Sequence, residues 1–138
     1  MKLETLLIFA GIFHFALLPV SLSVPRLLNW RHELAALSPL SRQVVMVHGG
    51  FIAGMIVAFG ALTLVFAAPM ATGVEPGRTL AGLMGFFWLS RLLVQLLYLD
   101  PKHWPAGWWV MPGRYALTAL FTYWSAVYLA AFAAGMQV

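Results

Sequence analysis

Cysteine is absent from this chain of 138 residues, and acidic side chains number four: Glu4, Glu33, Glu75 and Asp100. Without cysteine there is no disulfide framework, thiolate nucleophile, iron–sulfur cluster or Cys-ligated zinc. Charged residues of both signs make up 9% of the chain, against about a quarter in a soluble domain. That shortage excludes an ordinary water-soluble fold. The formal charge of +4 comes from residues flanking apolar stretches, and no basic run tracks phosphates, so nucleic acid is excluded as a partner. Period-two alternation is missing, which argues against a lipid-facing β-barrel. Ser90 and Ser125 lack an identifiable base and sit in no Gly-x-Ser-x-Gly elbow, and no glycine loop cradles a phosphate. The pattern therefore points away from an enzyme.

What the chain has in abundance is apolar sequence: 62% hydrophobic residues and a mean hydropathy of +0.89. Four stretches, about residues 3–24, 44–68, 80–99 and 115–136, each approach the roughly 20 residues needed to cross a bilayer as an α-helix. Backbone groups must be satisfied internally in lipid, so the expected fold is all-α, a single four-helix transmembrane domain over residues 1–138. Lys2 before an apolar core, with Ser21 and Ser23 beyond it, resembles a leader peptide; Glu4 and the length of the core predict that the first span is kept. Basic residues Arg26, Arg31, Arg42, Lys102 and Arg114 gather in the first and third loops. The positive-inside rule then places those loops in the cytoplasm of a bacterial inner membrane, with both termini outside.

The first loop carries Leu27, Trp30, Leu34 and Leu37 at helical spacing, opposite Arg31, His32 and Glu33. This predicts a short amphipathic interfacial helix ended by Ser38-Pro39. The middle loop, Pro69 to Thr79, is rich in Gly and Pro and is expected to be a simple turn. The third loop holds Trp104, Trp108 and Trp109, read as an aromatic belt at headgroup level or, alternatively, a lid over a ligand entrance. In the second span, Gly50-Phe51-Ile52-Ala53-Gly54 is a small-xxx-small pattern suited to close helix packing within the chain, or to a homodimer seam.

Within the third apolar stretch, Trp88, Arg91, Gln95 and Tyr98 recur every three to four residues, continued by Lys102. A guanidinium about two turns inside a span costs several kcal/mol unless something satisfies it. At about 1.5 Å per residue from the cytoplasmic ends, Gln95 lies about 6 Å deep, His48 about 9 Å, Arg91 about 12 Å and His14 about 16 Å. Thr118, Thr122 and Ser125 share one face of the fourth span at about 5 to 16 Å. Polar groups from all four helices thus converge in one half of the bundle. All four carboxylates lie at span ends or in loops, so Arg91 has no acidic partner of its own. Either it bonds backbone carbonyls, Gln95 and the threonines, or the missing anion is a lipid phosphate, a fatty-acid carboxylate, a haem propionate or an acidic residue of a partner subunit. The expected role is an integral membrane subunit or lipophilic-ligand-binding protein, with Trp88, Arg91, Gln95, Tyr98, Thr118 and Thr122 around the ligand.

Two alternatives stand beside it. His14 and His48 are both intramembrane and could ligate haem b axially in a redox or quinone protein. A small hydrophobic anion could instead be transported, most readily by a dimer, since four spans are few for alternating access.

The segments Val24–Arg31, Leu37–Val44 and Phe86–Gln95 together resemble small bacterial four-span membrane proteins; the resemblance covers most of the chain and implies a fold but no activity. A narrower likeness is to the four-helix protoporphyrinogen oxidases of bacteria, which share a first-span His, here His14, and a following Pro25-Arg26-Leu27. Their third-span Lys is replaced by nothing closer than Arg91, so that activity is not carried over.

Overall fold

The computed structural model describes residues 2–135; Met1 and residues 136–138, including the expected end of the last span at Met136, lie outside it. Helix α1 spans Leu3–Leu27. A short α2, Trp30–Glu33, follows and runs into a 3-10 turn at Leu34–Ala36. Then come α3, Pro39–Val65, a six-residue α4, Ala67–Thr72, and α5, Gly77–Leu93. A π-turn at Val94–Tyr98 extends α5. After a 3-10 turn at Pro101–His103, α6 covers Val110–Ala134. Four of these helices are long and apolar enough to cross a membrane, α5 with its π-turn counting as one. The fold is an all-α bundle.

Local chemistry sets the joints. Asn29 takes a left-handed conformation, φ 47°, which ends α1 and turns the chain into α2. Ser38 caps α3 by accepting from the Ser41 N–H at 3.2 Å, and Pro39 stands at the first helical position, where its missing donor costs nothing. Arg42 donates to the Leu34 and Ala35 carbonyls at 3.1 Å each, fastening the 3-10 turn to the start of α3. The amphipathic segment is thus present but shorter than its sequence pattern predicts. Its Trp30 packs on α3 at Gly49.

The middle connection is more than a simple turn. Its first part is α4, whose Ala67 and Met70 are buried and which packs on α1, α5 and α6. Gly73 closes α4 at φ 72°, and a Cβ there would collide with Gly135. Two glycine backbones therefore meet at this end of the molecule.

The long helices form two antiparallel hairpins, α1 with α3 and α5 with α6, joined at the α4 end. Gly11 and Gly60 allow α1 and α3 to approach; Gly82 and Gly85 lie under Phe132 and Leu129 of α6. Between hairpins, the Tyr123 hydroxyl donates to the Leu6 carbonyl at 2.7 Å and the Trp124 indole to the Ala10 carbonyl at 3.0 Å. Thr63 on α3 and Tyr128 on α6 share a buried 2.6 Å hydrogen bond. All these ties lie toward the α4 end. Past Leu17 on α1, and before Ile56 on α3, no residue is buried, while Gln95 in the π-turn and Val110 at the start of α6 remain buried. The hairpins consequently splay apart at the other, open end.

The packing glycine of α3 is Gly60, not the pair singled out by spacing: a Cβ at Gly50 or Gly54 meets nothing within 4 Å. Gly60→Leu is expected to destabilise the bundle by about 1–3 kcal/mol through overpacking against His14 and Phe15, whereas Gly50→Leu leaves it unchanged. Equilibrium unfolding in mixed micelles reads the difference, and equal effects would refute this packing.

Candidate functional site

The splay leaves two clefts between the hairpins. The first, about 990 Å³, lies between the second half of α1, the end of α5, the third loop and the start of α6. The second, about 690 Å³, lies between α1, α3, Trp30 and the middle of α5. Leu17, Val20, Val24, Arg91 and Leu117 line both, so the clefts meet at a waist, and the only charge at that waist is Arg91.

Arg91 is half-buried. Its Nη1 donates to Gln95 Oε1 at 3.3 Å, and its Cζ lies 4.8 Å from the Phe121 ring centroid. An Arg can only donate, so it selects the amide oxygen of Gln95, which leaves the amide nitrogen directed elsewhere. Gln95 is fully buried and that nitrogen has no hydrogen-bond partner. The indole nitrogen of Trp88, a side chain 4% exposed, is also buried without a partner. Among the described residues the one ion pair is His32 with Glu33, 3.7 Å apart at the surface. A cation without a carboxylate and two buried, unpartnered neutral donors therefore stand on two successive turns of one helix. Leaving buried donors unanswered costs about 1–3 kcal/mol each, and such groups call for an explanation.

The structure brings together Trp88, Arg91 and Gln95 as the sequence spacing predicts, but not the remaining candidates. Tyr98 is 81% exposed at the rim of the first cleft. The Leu99 N–H bonds the Val94 carbonyl, five residues back, and this wider π-turn takes Tyr98 off the stripe begun by Arg91 and Gln95. Thr118 and Thr122 donate to the Arg114 and Thr118 carbonyls of their own helix, each at 2.8 Å, and line neither cleft. The inward face of α6 is instead Phe121, Trp124 and Tyr128, an i, i+3, i+7 aromatic stripe. Thr122 sits about 100° away from Phe121 around the helix. The aromatic stripe was present in the sequence, masked by the polar one beside it. The third loop divides between its two readings: Trp108 is 90% exposed, while Trp104 and Trp109 line the first cleft with Arg114 over the Trp104 ring at 5.8 Å.

The histidines are far apart. His14 is fully buried and packs against Trp124, ring centroids 4.0 Å apart, and Trp88, 5.3 Å. Its Nδ1 lies 2.7 Å from the Ala10 carbonyl, which assigns the hydrogen to Nδ1 and leaves Nε2 a bare, unpartnered acceptor. His14 is level with Gly60 of α3. His48 stands about 18 Å further along that helix at about 1.5 Å per residue, exposed, and bonded to the Val44 carbonyl at 2.9 Å. Two axial ligands must flank one iron, so this pair does not fit bis-His haem. Among the described residues no three His, Asp or Glu side chains gather as metal ligands.

No protein-family model, curated protein or solved structure matches this chain.

Two outcomes follow from this geometry. Arg91→Met combined with Gln95→Leu in lipid-stripped protein is expected to unfold at or above the wild-type midpoint, because a cation without a carboxylate and a half-answered buried amide are removed together; a loss above about 1 kcal/mol would mark the pair as structural. Protein from haem-replete cells is expected to show no Soret band, and a band abolished by both His14→Ala and His48→Ala would contradict the separation of the two rings.

Proposed function

We propose that this chain is an integral protein of a bacterial cytoplasmic membrane that holds a lipophilic anion between its two hairpins. Arg91 supplies the charge, and Gln95 orients the guanidinium through its amide oxygen. The observation that carries this reading is the Arg91 guanidinium, unpaired by any carboxylate and placed where two apolar clefts meet. Arg suits an oxyanion because its planar fork binds two oxygens at once. The clefts supply hydrocarbon surface for the rest of the molecule, within the range of about 300–1,000 Å³ usual for small-molecule sites.

Orientation supports the same reading. The open end carries Arg26, Arg31, Arg42, Lys102 and Arg114, while the described residues at the α4 end offer Lys2 and Arg78. Positive-inside bias puts the open end in the cytoplasm and the termini outside. Anionic lipids are enriched in cytoplasmic leaflets, so the mouth of the cleft and its ligand would share one leaflet.

Charge-assisted hydrogen bonds contribute about 1.5–3 kcal/mol, so Arg91→Leu is expected to weaken retention of a co-purified anionic lipid by at least tenfold. Extraction and mass spectrometry of gently purified wild type and variant would measure it. An unchanged lipid complement with unchanged stability would refute the proposal.

A further inference from the structure

We infer that the molecule held at Arg91 is a phosphodiester lipid, whose one negative charge lies between hydrocarbon and a further polar group, rather than an amphiphile that ends in its charge. This deepens the proposed function and rests on its assignment of Arg91 as the anion site. Arg91 is at the waist of the clefts, not at a blind end, and the walls on its two sides differ in charge. On one side, the second cleft is lined mainly by apolar side chains, Met46, Ile52, Met55, Ile56, Phe59 and Phe87 among them, with Ser21 and the indoles of Trp30 and Trp88 but no charge other than Arg91. Toward the open end, the first cleft presents Gln95, Tyr98, Asp100, His103, Trp104 and Arg114, polar groups and charges of both signs. These belong with a headgroup at interfacial depth, since charged side chains facing a hydrocarbon chain would be desolvated for no return.

A fatty acid with its carboxylate at Arg91 and its tail in the second cleft would leave the first cleft, about 990 Å³, without an occupant. Reversed, its tail would lie against Asp100, His103 and Arg114. A phosphodiester avoids both conflicts: one chain enters the second cleft, the phosphate sits at the waist, and the headgroup faces the third loop. Charge count agrees. One guanidinium matches a single negative charge, whereas a phosphate monoester carries about −1.5 to −2 near neutral pH and would leave part of its charge unanswered.

Gly113 provides a selective test. It lines the first cleft, and a Cβ there meets nothing within 4 Å, so Gly113→Phe fills the headgroup space from a position that tolerates a side chain. Delipidated protein is titrated with dioleoyl-phosphatidylglycerol, dioleoyl-phosphatidic acid and oleate, and bound stoichiometry is read by native mass spectrometry. Phosphatidylglycerol is expected to bind one to one and at least tenfold more tightly than the other two. Gly113→Phe is expected to weaken phosphatidylglycerol at least fivefold while leaving oleate unchanged, and Arg91→Gln to weaken phosphatidylglycerol at least tenfold. If oleate or phosphatidic acid binds as tightly as phosphatidylglycerol, or Gly113→Phe weakens all three alike, the phosphodiester inference is overturned while the Arg91 site survives. If Arg91→Gln changes none of the three, the Arg91 site itself is refuted and this inference with it.

Discussion

The shape of this molecule depends on where its first helix is fastened. Lipid supplies no hydrophobic force to drive one transmembrane helix onto another, so association rests on close packing and on hydrogen bonds between helices. Here the indole of Trp124 and the hydroxyl of Tyr123 reach the Ala10 and Leu6 carbonyls, and Thr63 meets Tyr128. All of these ties fall in the half that also holds α4 and the meeting of Gly73 with Gly135. Nothing comparable joins the hairpins at the other end. Pinned at one end and free at the other, they diverge, and the space between them is the site.

The two halves of the bundle are alike in holding unanswered polar atoms and differ in how they are tied together. Near α4, Thr63 meets two oxygens, while His14 is satisfied at Nδ1 alone and the Arg78 Nε finds no partner. In the splayed half, the Trp88 indole and the Gln95 amide nitrogen are left unanswered, and Arg91 has the Gln95 oxygen but no carboxylate. Incomplete satisfaction of buried polar groups lowers stability, and residues at binding sites commonly accept that loss. The ring of Phe121 moderates it by lying under the Arg91 guanidinium, an interaction worth about 0.5–2 kcal/mol.

The four spans and the Arg91–Gln95 pair were legible in the sequence because each is carried by local periodicity: an apolar stretch of bilayer length and an i, i+4 spacing on one face. What failed to read through was decided by neighbours distant along the chain. Gly50 and Gly54 carry the packing motif, yet Gly60 does the packing, since Gly11, His14 and Phe15 of α1 determine which glycine is opposed. Thr118 and Thr122 looked like a polar lining because hydroxyls in lipid need partners; both found them one turn back on their own helix. Tyr98 shared the spacing of Arg91 and Gln95, but the spacing assumes an unbroken α-helix, and the π-turn breaks it. α4 hid in a Gly- and Pro-rich segment because its Pro69 falls in the first turn of a helix, where the missing N–H is tolerated.

Each tie that pins the bundle has one partner on α6, and two of the three end on α1, so the fastening waits on the last span. During synthesis the earlier spans enter the membrane while Trp124 and Tyr123 are still to be made, and through that interval Leu6 and Ala10 have only their own helix to serve. The two hairpins acquire their fixed relation only when the fourth span arrives. Biogenesis of the cleft is therefore an all-or-none event timed to the end of translation: a chain halted before α6 would contain the α1–α3 hairpin and Arg91 itself, yet would have no waist for Arg91 to occupy.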